Sequence, residues 1–357
     1  MTDDRSSKCA GQVERAELIA VANDCHEINK LYRARRWGDG LPVIPPTVER
    51  VDEMLRHTRR TPQEVVAAVA PGFGEATVEL IAINAVLAGC DPAYLPVVIA
   101  AVEAACAPKF NLQGIQATTN PATAWLIVNG PIAKQLEINS DLNCLGQGSW
   151  ANATLGRALH LVLQNVGNAL PGDMDRATQG QPGKYTFCCA ENEARSPWTP
   201  LHVDRGYAAQ TSAVTVVAAS GTLNLLSHEK DAAQLLRVFA ESMCYPASND
   251  YWCGGEPWIV IGPEHAEILA RAGLSKADVK NALWEQSKMP ASRRAPKDYA
   301  RTCDARRDEL GEIKPDTILP IAPTPEEIGV IVAGGTGTHS VYIPSFGNCR
   351  SVTRPVA

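Results

Sequence analysis

No Cys-x-x-Cys pair occurs anywhere in the chain, so the sequence offers neither the zinc-ribbon spacing nor the thioredoxin-type redox spacing. Long apolar runs are missing too. The longest, residues 95–106, contains Glu103 and is about half of what a bilayer span needs. The first twelve residues are polar and lack the apolar core of a secretory signal, so a cytoplasmic location is expected. An excess of basic charge is absent as well. The 33 Lys and Arg face 39 Asp and Glu, for a formal net charge of -6. The one local basic cluster, Arg293, Arg294 and Lys297, reads as a solvated loop. Neither nucleic acid nor membrane is expected as a partner.

What remains is the composition of a globular protein. Hydrophobic residues make up 45% and charged residues 20%, far from the disordered regime. A chain of 357 residues buries enough surface to hold a core without disulfide staples. Eleven cysteines is an odd count, and Cys106 and Cys244 fall in apolar helical contexts. Reduced, buried thiols are the expected state.

The pattern predicts an α/β protein of two related lobes joined by an irregular segment: an N-terminal arm over 1–60, a first lobe over 61–167, a connecting segment over 168–211 and a second lobe over 212–357. A helix is expected over 13–36. Thr47 and Asp91 are expected to cap helices, Asp91 with Pro92 in the first turn. Strands are expected over 65–70, 125–128, 214–218 and 258–261. Trp125-Leu-Ile-Val-Asn-Gly-Pro and Trp258-Ile-Val-Ile-Gly-Pro each read as an aromatic-led strand, a Gly-Pro stop and then a helix, which suggests the repeat.

Candidate chemistry gathers in the connecting segment, in Cys188-Cys189-Ala190-Glu191-Asn192-Glu193, with Trp198 and His202 close behind. An extended backbone puts Cys189, Glu191 and Glu193 on one face and Cys188 and Asn192 on the other. Carboxylates beside an imidazole form an acid/base pair or hold a divalent metal, with Glu191, Glu193 and His202 as ligands. The bland alternative is a solvated strand edge; a vicinal Cys188–Cys189 disulfide demands unusual geometry.

Cys90, ahead of Asp91-Pro92, is expected to feel a helix dipole that would lower its thiol pKa and make it a nucleophile, as an alternative to a buried small residue. Gly72-Phe73-Gly74 stands between a strand and a helix, a context for holding an anion. Gly334-Gly335-Thr336-Gly337-Thr338-His339-Ser340 reads first as a hairpin turn. In its functional version Gly335, Gly337 and Ser340 grip an anionic substrate and His339 acts as acid or base. Thr118, Thr119 and Asn120 either form a turn or line the same pocket. His160 and His265 read as structural.

Several stretches carry a family resemblance: Trp37-Gly-Asp-Gly-Leu-Pro-Val-Ile-Pro-Pro-Thr, Ala88-Gly-Cys-Asp-Pro-Ala-Tyr-Leu-Pro-Val-Val, Ala177-Thr-Gln-Gly-Gln-Pro-Gly-Lys-Tyr-Thr-Phe-Cys, Pro263-Glu-His-Ala and Leu283-Trp-Glu. The chain resembles the large partner of bacterial proteins named for a Sec-Gly-Ser-Cys motif, although it contains no Cys-Gly-Ser-Cys of its own. The resemblance implies an enzyme-like bacterial protein and supplies no catalytic residues.

Three functions follow as expectations. The first is a lyase or hydrolase cleaving a carbon–heteroatom bond in a small polar substrate. Its catalytic residues would be Cys90, Cys189, Glu191, His202 and His339, assisted either by acid/base chemistry alone or by a divalent metal ion, with the cofactor left open. The second is a thiol redox protein using Cys188 and Cys189, or Cys90. The third is a non-catalytic subunit; a homo-oligomer or a small partner subunit is expected in either setting.

Overall fold

The computed structural model describes residues 16–357. The strands, in chain order, are β1 (Val65–Val69), β2 (Gly74–Thr77), β3 (Thr123–Asn129), β4 (Cys188–Ala190), β5 (Ala213–Ala219), β6 (Leu223–Leu226), β7 (Trp258–Ile261), β8 (Lys288–Pro290), β9 (Ile318–Pro320), β10 (Gly329–Val332), β11 (His339–Ile343) and β12 (Val352–Pro355). Two four-stranded sheets dominate, ordered β4-β3-β5-β12 and β10-β7-β11-β6. In both, the first pair is parallel and the next two are antiparallel.

The two sheets face each other, and helices cover their outer faces. Side chains alternate across a strand, so a strand sandwiched this way must be apolar on both sides. β3 is buried along its whole length. Its Leu126 and Val128 join the helices Val78–Ala88, Leu95–Ala105 and Trp150–Asn165, whereas Trp125 and Ile127 point to the other sheet. β7 does the same: Ile259 and Ile261 face the helices Ala232–Met243, Pro263–Arg271 and Lys276–Gln286, and Trp258 and Val260 face inward. The rings of Trp125 and Trp258 meet edge to face at 5.9 Å in the middle layer. The result is a helix–sheet–sheet–helix arrangement, the α/β class expected from the sequence.

The expected division at 212 does not follow the sheets. β5 and β12 belong to the first sheet and β6 to the second. All four strands of the second sheet come from beyond residue 212, whereas the first sheet combines β3 and β4 with the two later strands β5 and β12. β4, inside the expected connector, is a strand of the first sheet.

Local signals mostly hold. Thr47 Oγ1 accepts from Arg50 N at 3.4 Å, and Ser149 Oγ accepts from Asn152 N at 3.2 Å to start the Trp150–Asn165 helix. The first helix is shorter than expected, Cys25–Arg35, and residues 13–15 of the expected one lie outside the described residues. Asp91 makes no side-chain capping bond; a 3-10 turn, Pro92–Tyr94, comes first, and the helix Leu95–Ala105 follows.

Two glycine loops differ from expectation. Residues 70–73 turn the β1–β2 hairpin, where Val69 pairs with Gly74, and the Gly72 amide donates to Gly167 O at 2.9 Å. No helix start follows Gly74 directly, because β2 intervenes. The Gly334 loop is not a hairpin either. β10 and β11 lie on opposite sides of β7, so residues 333–338 cross over that strand.

No single described helix is long and apolar enough to cross a membrane. A bent pair, Pro92–Ala105 and Pro108–Gln116, has the length and composition, but Leu95–Ala105 is packed into the first core layer.

Candidate active site

β3 ends in Asn129-Gly130-Pro131, and β4 runs parallel to it into Glu191. Gly130 adopts φ 81°, and a Cβ there would collide with the Thr211 carbonyl, so only glycine makes this exit. Asn129 is thereby left at the strand end, fully buried, facing the segment after β4. Its Nδ2 donates to Glu191 Oε2 at 2.7 Å and to Glu193 Oε1 at 2.9 Å, bridging the two carboxylates. Glu191 Oε2 also accepts from Leu201 N at 2.8 Å, and Glu193 Oε1 from Gly130 N at 2.8 Å.

His202, in the short helix Leu201–Asp204, is fully buried. Its Nε2 donates to Ala209 O at 3.3 Å, and its Nδ1 lies 3.7 Å from Glu193 Oε1. Three buried atoms of this cluster, Glu191 Oε1, Asn129 Oδ1 and His202 Nδ1, have no hydrogen-bond partner among the described residues. Buried polar atoms are nearly always paired, so three orphans in one cluster set this point apart from the rest of the core.

Burial pushes the Glu191 carboxyl up to about 7, against the pull of the Lys276 charge and of the Leu201 and Asn129 hydrogen bonds; Glu193 adds to the rise. Lys276 is itself held by Asp204 Oδ2 at 2.6 Å and by the Thr199 carbonyl. The Glu193 side chain is 31% exposed, so the cluster reaches water through Glu193. Replacing Asn129 by Ala removes a donor that favours the ionised form. The Glu191 titration midpoint is then expected to move above its wild-type position, as read from the infrared carboxyl band of isotopically labelled Glu. A downward move would contradict this assignment.

The trio Glu191, Glu193 and His202 is brought together, but without the geometry of a metal centre. Among the described residues no three His, Cys, Asp or Glu side chains are placed to hold an ion. Glu193 Oε1 is already occupied by Asn129 and Gly130.

The other expected site residues stand elsewhere or are otherwise engaged. Cys90 follows the end of the helix Val78–Ala88, donates its thiol to Thr154 O at 3.3 Å, and is pushed by burial up to about 12. The expected dipole activation is therefore reversed. Cys189 is fully buried, and its hydrogen bond to Cys144, with burial, holds it well above the ordinary thiol value. Cys188 and Cys189 belong to opposite layers, one under the helices and one between the sheets, which rules out a vicinal disulfide.

His339 is exposed and pairs with Asn224 Oδ1 at 3.0 Å. The expected anion grip is already used by the protein: Gly334 N donates to Ser140 O at 2.9 Å, the Gly337 amide donates to Glu264, and a Cβ at Gly335 would collide with Leu142. Ser340 is buried between Gly262 N and His265 Nδ1, at 3.1 and 2.8 Å, so His265 is structural as expected. Thr118 Oγ1 caps Asn120 N at 3.1 Å, Thr119 O accepts from Thr178 N at 3.0 Å, and Asn120 Oδ1 accepts from Ser220 Oγ at 3.2 Å. They form a turn that ties down the connecting segment.

The 333–338 loop still touches the site. Asn192 N donates to Val332 O at 2.7 Å, and Arg195 Nη1 donates to Thr336 Oγ1 at 3.1 Å. A cavity of about 480 Å³, lined by Tyr94, Glu137, Asn139, Leu142, Gln147 and Trp150 among others, opens nearby. Asn139 joins the two, since its carbonyl accepts from Ala190 N at 3.2 Å, one residue before Glu191.

Sequence reasoning missed Asn129, Asn139 and Cys144. The available signal was an Asn closing an otherwise apolar buried strand, which reads only as a strand stop. Comparison with known protein families, curated proteins and solved structures finds no match to the chain.

Proposed function

We propose that the protein is an enzyme of lyase or hydrolase type that breaks a carbon–heteroatom bond in a small polar, anionic substrate, with Glu191 moving the proton. The observation that carries this reading is the Glu191 carboxyl: buried, titrating at about 7, with one oxygen unpartnered. A group poised near neutral pH is half protonated there, the condition in which a carboxyl serves as acid and as base. Asn129 fixes its orientation and couples it to Glu193, which exchanges protons with water at the exposed end of the cluster. His202 Nδ1, 3.7 Å from Glu193 Oε1, is placed to receive a proton passed on by that carboxyl. Acid–base chemistry needs no thiolate, consistent with the high thiol pKa values of Cys90 and Cys189.

The test is a screen of small carboxylate-bearing esters, amides, hydroxy acids and amino acids for turnover, followed by a pH–rate profile. A limb near pH 7 is expected in the wild type. Glu191→Gln should lose that limb and at least about a hundred-fold in kcat. A Glu191→Gln variant with full activity on the substrate found would remove the proposal.

A further inference from the structure

Cys189 and Cys144 meet where the two sheets face each other. Cys189 sits on β4 opposite Ile127, and its side chain shares the inner layer with Trp125 and Trp258. Cys144 comes from the loop over 139–149 and enters the same layer. That loop is fastened over β4, for Ala190 N donates to Asn139 O and Asn152 Nδ2 donates to Cys144 O at 3.0 Å. The fastening brings the two thiols into the same buried layer, close enough to perturb each other's ionisation, and neither is in a disulfide.

The two sulfurs are not equivalent. The neighbouring Cys189 holds Cys144 below the ordinary thiol value, while Cys144 and burial hold Cys189 well above it. That is the relation of an attacking thiol to a resolving one. Cys188 cannot take either part, because it faces the helices. The loop reaches solvent at Leu142, while Cys144 itself is buried. Leu142, two residues before Cys144, is 69% exposed, and Leu142 and Gln147 both line the cavity of about 480 Å³.

We propose that Cys144 and Cys189 are a redox site, forming a reversible disulfide when the protein meets a hydroperoxide and so tying the 139–149 loop to β4. The Cys144 thiolate attacks the terminal peroxide oxygen; the O–O bond breaks, and the departing alkoxide takes a proton and leaves as alcohol. Cys144 is then a sulfenic acid. The Cys189 sulfur attacks it, the S–O bond breaks, and the hydroxide leaves as water with the Cys189 proton. Two thiols are oxidised by two electrons and one hydroperoxide is reduced. Nothing in this step depends on the Glu191 chemistry.

In the test, the full-length reduced protein is exposed to tert-butyl hydroperoxide under native conditions, blocked with N-ethylmaleimide, unfolded and digested without reductant. Mass spectrometry is expected to show the Cys144 peptide joined to the peptide carrying Cys188 and Cys189, with two hydrogens lost and the link reversed by a thiol reductant. Cys188→Ser should keep the link, and Cys189→Ser should abolish it. Cys144→Ser, a change in the loop, should abolish it equally and serves should the β4 variant fail to fold. Recovery of both thiols as maleimide adducts after oxidation would overturn the proposal. So would Cys144 found only as unlinked sulfinic acid, or a link that persists in Cys189→Ser.

Discussion

Glu191→Gln is expected to unfold later than the wild type at pH 8, by about 3 kcal/mol, and at nearly the same point at pH 4.5. The carboxyl's ordinary value is 4.5, and burial raises it to about 7 in the folded protein. Below 4.5 both folded and unfolded forms carry the proton, so ionisation costs nothing. Between 4.5 and 7 the unfolded chain ionises while the folded one resists, and wild-type stability drains away as pH rises. Above 7 the folded protein carries a buried charge and the full penalty. Gln does not ionise, and its amide oxygen can still accept from Leu201 N and Asn129 Nδ2, the two donors that Glu191 Oε2 uses. Its NH2 fills the position of the unpartnered Oε1. Urea midpoints at the two pH values decide the matter. A Gln variant offset by the same amount at both would mean that Glu191 titrates normally. A gain in stability coupled to a loss of turnover is the trade-off expected of a catalytic group.

Trp258→Ala is expected to destabilise the protein by about 3–5 kcal/mol, without pH dependence. The indole is fully buried in the layer between the sheets, edge to face with Trp125, which in turn stacks on Phe187 at 5.5 Å. Gly329, on the neighbouring strand, lacks a Cβ because the Trp258 ring lies against it. Neither sheet can close over the hole, since the helices fix their outer faces. Trp258→Phe should recover part of the loss, because Phe refills much of the volume and brings no unpaired N–H; Trp258 Nε1 has no partner among the described residues. A loss for Trp258→Ala below about 1 kcal/mol in guanidinium titrations would show that the inner layer does not join the sheets tightly.

The parts of the architecture legible in the sequence were those written locally. The apolar runs around Trp125 and Trp258, each stopped by Gly-Pro, are strands β3 and β7, and Glu191, Glu193 and His202 do gather around one buried point. The strand pairings were not legible, because they depend on distant partners. β6 has a surface-like burial pattern and β12 is four residues long, so neither announces which sheet it joins. Cys188 to Ala190 reads as part of a linker because three residues are too few for a period. Cys90 was misjudged for a related reason. The helix dipole expected to act on it belongs to Pro92–Tyr94, a single 3-10 turn, while the desolvation that dominates is invisible in a one-dimensional pattern. The glycines of 334–337 drew attention as an anion grip, yet their amides are bound by Ser140 O and Glu264, which lie far away along the chain.

The late arrival of β12 in the first sheet has a consequence for how the protein is made. Thr353, on β12, pairs with Thr215 of β5 through backbone and hydroxyls, the latter 2.8 Å apart. The first sheet thus keeps one flank of β5 open while residues 220–351, including every strand of the second sheet, are still being added. The first sheet therefore cannot close before the strands of the second are made, and closing contacts this remote in sequence is slow. The nascent chain must carry an unpaired β5 flank throughout that stretch of translation, a period in which holding chaperones would find it.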